Sequence, residues 1–239
     1  MAPDRAAASL RSLNFLPTFV FIIVVIVVCF AQYLHAQESD DNFKVYAVNV
    51  VKTPPLEKEF IGFGIFFGNG KVLTAAHVVG NWPAITHPRV RVAGLDLPAA
   101  VVKIGSLDDT DLALLSVDET QLPMALRLRR NPLCKAVPPF GTRALIVYPE
   151  QIVATRTISP VYIAPKYRTR LSSLIAEPQG SGAGVFLPDR HCLLGIISMK
   201  VQKYAYRRQN GRPIASAAGW AGYYVPASAI AAFLPPEMQ

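Results

Sequence analysis

Apolar residues in this chain fall into short runs broken by Gly, Pro, Asn and Asp, and long runs with a 3.6-residue period are scarce beyond the N-terminus. Such a pattern predicts strands rather than helices. The first half offers Phe43–Val51, Phe60–Phe67, Lys71–Ala75, Val90–Ala93, Ala99–Ile104 and Leu112–Val117. Pro54-Pro55 ends the first of these, and Gly68-Asn69-Gly70 is a strong hairpin turn between the second and third. The second half offers Thr142–Val147, Gln151–Ile163, Leu171–Ala176, Ala183–Leu187, Cys192–Val201 and Ala221–Val225, then a short helix over Ala227–Leu234. The polar and basic stretch Asp118–Asn131 reads as the linker, so the expected organisation is all-β with halves at 37–130 and 131–239. With 20 Pro and 15 Gly in 239 residues there are enough turn formers for a sandwich or barrel, and the length allows ample core.

The first 36 residues have a different character. Arg5 and Arg11 precede an uninterrupted apolar run, Phe19–Ala31, of 13 residues. That length suits a signal-peptide core better than a spanning helix, and Leu34-His35-Ala36 supplies a small residue for cleavage. The alternative is an uncleaved anchor: counting back to Phe15 gives 17 residues over 15–31, the lower limit for a span. Cys29 follows the bulky Val28, which argues against a lipoprotein site. Either way, the remainder is expected outside the cytoplasm, periplasmic or secreted. Removing residues 1–36 takes away Arg5, Arg11 and Asp4, which lowers the net charge from +8 to +7. The basic residues cluster at Arg127–Arg130, Lys166–Arg170 and Lys203–Arg212. Solvated loops of an exported β protein explain them, and export argues against nucleic acid as a partner.

Three polar residues stand out from this frame. Thr74-Ala75-Ala76-His77 delivers a histidine at the end of a strand, after a Gly-bounded hairpin and two small residues. An imidazole that titrates near neutral pH can act there as a general base. Asp111 heads the apolar run Leu112-Ala113-Leu114-Leu115, whereas Asp108 and Asp109 sit in a turn-like segment. Ser181 lies in Gly180-Ser181-Gly182-Ala183-Gly184, and Ser172, Ser173 and Ser198 lack such glycines. A serine nucleophile needs a base, and the base needs a carboxylate to fix its tautomer. The three lie 34 and 70 residues apart in the order His, Asp, Ser, which differs from the α/β-hydrolase and subtilisin orders. There is no zinc-spaced Cys/His cluster and no phosphate loop.

Across about residues 43 to 235 these motifs, with Gly195-Ile196-Ile197-Ser198 and Gly222-Tyr223-Tyr224-Val225-Pro226, resemble the chymotrypsin-like (trypsin-like) serine proteases. The resemblance implies two antiparallel six-stranded β-barrels with the site in the cleft between them. It implies His77 as base, Asp111 as its orienting carboxylate, Ser181 as nucleophile and Ser198 as a hydrogen-bond donor to the aspartate. By the same alignment Ile175 forms the floor of the substrate pocket, with Met199 and Lys200 along its wall, which favours a small or medium apolar side chain over Lys or Arg. The family often bridges the regions of Cys134 and Cys192, the two cysteines left after the leader, and an oxidising compartment favours that pairing.

One position departs from the family. Glycine is usual two residues before the nucleophile, where its N–H forms half of the oxyanion hole with the serine N–H. Here Gln179 stands there, after Pro178. A non-glycine residue at that point must strain its backbone or flip its peptide. The implied function is an exported serine endopeptidase acting on proteins or peptides without metal or organic cofactor. The alternatives are a weakly active homologue serving as a binding or regulatory module, and an esterase with the same triad. The membrane is expected as a partner only through the uncleaved anchor, and oligomeric state is not legible.

Overall fold

The computed structural model describes residues 21–26, 40, 42–54, 58–80, 87–168, 170–174, 178–209 and 212–238, with backbone only at 162, 203–209 and 212–218. The chain divides into two units, residues 1–42 and 43–239. In the first, residues 21–26 are helical and exposed, and the rest of the 1–36 segment expected to be a leader lies outside the described residues. Among the described residues no helix is long and apolar enough to cross a membrane.

The second unit holds two antiparallel sheets. The first is formed by β1 (Ala47–Lys52), β2 (Phe60–Gly68), β3 (Lys71–Thr74), β4 (Arg89–Val92), β5 (Leu95–Pro98), β6 (Ala100–Ile104) and β7 (Ala113–Ser116). Its order is β5-β4-β1-β2-β3-β7-β6, a half-barrel of seven strands rather than the closed six-stranded barrel expected. The extra strand comes from Ala93-Gly94, where Ala93 has φ 51° and Gly94 has φ 78°, a tight turn that folds Leu95–Pro98 back onto β4. The second sheet is a closed six-stranded barrel, in the order β10-β13-β12-β11-β8-β9. Its strands are β8 (Arg143–Val147), β9 (Ile152–Ile158), β10 (Ser172–Leu174), β11 (Gly184–Leu187), β12 (Cys192–Gln209) and β13 (Arg212–Pro226). A helix, Ala227–Phe233, follows.

Several strand boundaries differ from the sequence reading. The strand expected over Gln151–Ile163 ends at Ile158, before a 3₁₀ turn at Pro160–Tyr162. Residues 42–46 form a 3₁₀ turn, so the first strand starts at Ala47. β12 and β13 run far past the expected Val201 and Ala221, pairing from Gly195↔Pro226 out to Gln209↔Arg212. The Lys203–Arg212 cluster was read as loop on its charge, although the Asn210-Gly211 pair is a hairpin signal.

β1, β2, β3, β7, β8 and β11 read as mostly apolar runs because both faces are largely buried, whereas β4, β5, β6 and β9 keep exposed positions. In the half-barrel, Val50, Phe66, Val72, Leu115 and Leu97 form one core. In the closed barrel, Ile146, Leu174, Val185, Ile197 and Tyr224 form another. The alternate residues of the same strands (Ile65, Leu73, Leu114, Leu145, Val147, Phe186, Ile196) join in a third cluster with members from both sheets. Period-two alternation therefore divides the strands that carry these residues between their own sheet's core and the seam. Replacing a seam residue such as Leu114 by Ala is expected to cost about 2–5 kcal/mol.

Cys134 and Cys192 form a disulfide with Cα atoms 5.1 Å apart and a sequence separation of 58. The Cys134 N–H donates to Leu193 O at 3.0 Å, and the Leu193 N–H to Pro132 O at 2.8 Å, so the segment after the linker is tied to the start of β12. Replacing both cysteines with serine is expected to lower the unfolding free energy by about 2–5 kcal/mol in a denaturant titration. An unchanged midpoint would show that this tie is not needed.

Candidate active site

His77 is placed by a short sequence of local events. β3 ends at Thr74, whose buried hydroxyl donates to Phe63 O at 2.5 Å. Ala75 is extended, and a one-turn helix, Ala76–Val79, follows, closed by the Gly80 N–H on Ala76 O at 2.9 Å with Gly80 at φ 85°. Val78 and Val79 sink into the half-barrel core, which leaves the His77 side chain at the surface, 32% exposed. Lys52 Nζ donates to the His77 carbonyl at 3.2 Å.

Strand register brings Asp111 to it. β3 pairs with β7 so that Thr74 faces Ala113, and the residues just beyond each end, His77 and Asp111, meet. Asp111 is 3% exposed. Its Oδ1 accepts the His77 N–H at 3.1 Å, and the two oxygens lie 3.0 and 2.8 Å from His77 Nδ1. From the other sheet, Ser198 Oγ donates to Asp111 Oδ2 at 2.6 Å. Burial alone would raise the Asp111 pKa. The His77 imidazole, the Ser198 hydroxyl and the His77 N–H outweigh it, and the carboxyl titrates below its ordinary value of 3.8. A carboxylate against Nδ1 keeps the proton on that nitrogen, so Nε2 carries the free lone pair.

Ser181 is held from both sides. Its carbonyl accepts the Phe63 N–H at 3.0 Å, and the Gly182 N–H donates to Ile197 O at 2.8 Å. Gly182 sits at φ 90°, and a Cβ there would lie 1.8 Å from Phe63 O, so only glycine fits between this turn and β2. Ser181 Oγ donates to the Ser198 carbonyl at 3.0 Å. Ser198 thus touches both Asp111, through its hydroxyl, and Ser181, through its carbonyl. Among the described residues no hydrogen bond joins Ser181 Oγ to His77 Nε2, and the nucleophile candidate rests on Ser198 instead.

Gln179 does not take the strained left-handed backbone. Among the described non-glycine residues φ is positive only at Asn69, His87, Ala93 and His191, so Gln179 avoids the left-handed region. Its N–H donates instead to the Tyr148 hydroxyl at 2.8 Å, and Gln151 Nε2 donates to its side-chain Oε1 at 2.5 Å. The oxyanion role expected for the Gln179 N–H is therefore not met by its present orientation. Tyr148 is 1% exposed, and burial pushes its hydroxyl pKa up, against the lowering effect of the Gln179 and Gly180 N–H groups. Its ring meets Phe63 edge-on at 4.9 Å. Sequence reading missed Tyr148, although a signal existed. It continues the inward alternation Ala144, Ile146, Tyr148, and a buried phenol needs a hydrogen-bond partner.

Of the pocket residues, Ile175 lies outside the described residues. Met199 is partly buried and packs against the seam cluster, and Lys200 Nζ lies 5.1 Å from the Trp220 ring centre. Among the described residues no group of three His, Cys, Asp or Glu could hold a metal ion.

Replacing Ser198 by Ala removes one donor from the buried carboxylate and is expected to cost about 1–3 kcal/mol. The sign of the pH effect follows from the lowered Asp111 pKa. The stability Asp111 contributes is present above 3.8 and is lost as pH falls through its lower folded value. Acid unfolding of Ser198→Ala should therefore begin at higher pH than that of the wild type, and coincident acid transitions would contradict the assignment.

The trypsin-like peptidase domain family model matches residues 62–196. Among solved structures, the active form of the Rv3671c protease from M. tuberculosis is similar with a TM-score of 0.55 at 18% identity, covering 82% of each chain. Deg5 gives 0.57 at 12% identity, over 82% of this chain and 92% of that one. Kallikrein-related peptidase 10 gives 0.56 at 16% identity, over 79% and 93%. At these identities the likeness is one of fold. No curated protein sequence matches the chain.

Proposed function

Because the chain belongs to the trypsin-like peptidase family, we propose that it is a serine endopeptidase working through an acyl-enzyme on His77, Asp111 and Ser181. The observation that carries this reading is the connected set Ser181–Ser198–Asp111–His77, in which one strand residue touches both the nucleophile candidate and the carboxylate.

In the reaction, Ser181 Oγ turns from the Ser198 carbonyl to His77 Nε2, gives up its proton there and bonds to the substrate carbonyl carbon. The carbonyl oxygen becomes an oxyanion, held by the Ser181 N–H and by the Gln179 N–H once that peptide has turned. Collapse breaks the C–N bond, and the leaving amine takes the proton from Nε2. Water then attacks the acyl carbon, passes a proton to Nε2, and the C–Oγ bond breaks as Ser181 is reprotonated. Asp111 stabilises the imidazolium in both halves and stays ionised.

The disulfide supports an oxidising compartment, and with the apolar leader it supports export, with anchoring through residues 15–31 as the variant of that reading. A small or medium apolar residue before the cut remains the proposed preference, resting on Ile175.

A second reading is favoured by a specific observation. The Gln179 N–H and the Ser181 hydroxyl are both committed to other partners, as expected of a weakly active homologue. Labelling with a serine-directed phosphonate separates the two. The wild type should be labelled and Ser181→Ala should not, and a folded wild type that stays unlabelled would remove the peptidase reading. Asp111→Asn should keep the fold and lower turnover on the order of 10⁴-fold, as in the serine-protease template. Cleavage of peptide amide bonds, which an esterase leaves intact, separates protease from esterase.

A further inference from the structure

We propose that Tyr148 is a positioning residue whose hydroxyl holds the Gln179 peptide in a resting orientation, competing with the substrate oxyanion for the Gln179 N–H. The proposal deepens the peptidase reading and rests on it.

The turn that follows β8 grips the loop before Ser181 at two points. Tyr148 Oη accepts the Gln179 N–H at 2.8 Å, and Gln151 Nε2 donates to Gln179 Oε1 at 2.5 Å. The turn is itself closed by the Tyr148 N–H on Gln151 O at 2.9 Å, so the two contacts act as one body. The Gly180 N–H also faces the phenol oxygen. The phenol cannot follow the loop outward. Its ring is buried and packed edge-on against Phe63, and the same Phe63 ring would lie 2.5 Å from a Cβ at Gly180. Gln179 itself is exposed. A buried, packed acceptor therefore faces a donor on an exposed residue, and a side chain at 179 disfavours the left-handed backbone that would aim the N–H the other way. Acylation then requires the N–H to leave Tyr148, while binding of the rest of the substrate does not.

Two measurements test this. In Tyr148→Phe, which keeps the ring against Phe63, the Gln179 amide should exchange with deuterium on the order of tenfold faster. The rate constant for phosphonate labelling at saturation should rise roughly two- to tenfold, the value of one net hydrogen bond, with the half-saturating concentration unchanged. Gln179→Gly reaches the same N–H by freeing the backbone, and should also gain, which keeps the test sound if Tyr148→Phe unfolds. Unchanged exchange at Gln179, or labelling of the wild type with no gain in either variant, overturns the proposal while leaving the peptidase reading intact. Absence of labelling in the wild type and both variants overturns the peptidase reading and the role of Tyr148 together.

Discussion

A buried carboxylate costs several kcal/mol unless its lone pairs are filled, and Asp111 fills them with three donors: a ring nitrogen, a backbone N–H and a hydroxyl. Two come from His77, which the pairing of β3 with β7 delivers to it. The third comes from Ser198, on the long strand of the closed barrel. The same contact that satisfies the charge fixes the tautomer of His77. It also fixes β12 against the half-barrel at the point where the Ser181 hydroxyl rests. One aspartate thus serves both the chemistry and the contact between the two sheets.

The seam has a second anchor in Phe63. Its carbonyl accepts from Thr74, its N–H donates to Ser181 O, and its ring packs on Tyr148 and lies close to Gly180. One residue of β2 therefore positions the strand that leads to His77, the turn that carries Ser181 and the phenol that holds Gln179. The glycines on either side of Ser181 follow from this crowding as much as from turn geometry, since a Cβ at 180 or 182 would strike Phe63.

Much of this was legible in the sequence, and the exceptions have physical reasons. His77, Asp111 and Ser181 stood out because each sits where an apolar strand gives way to small or turn residues. The two sheets, the terminal helix and the Cys134–Cys192 pairing were readable from alternation and from the family resemblance. The seven-stranded half-barrel was not, because Ala93 adopts a left-handed turn that its residue type does not advertise. The long β12–β13 ribbon was hidden by the charge of Lys203–Arg212, which mimics a loop. The conflict at Gln179 was visible, but its resolution was not. That depends on Tyr148, 31 residues away in the chain and brought near by the closure of the barrel.

The account depends most on Asp111 holding the His77 proton on Nδ1 so that Nε2 is free to act as base. Nitrogen-15 chemical shifts of the His77 ring, measured in the intact protein with the imidazole neutral, test this directly. The account predicts a protonated Nδ1 and an unprotonated Nε2, with that preference lost in Asp111→Ala. A proton on Nε2 in the wild type, or a ring indifferent to the loss of Asp111, would contradict it.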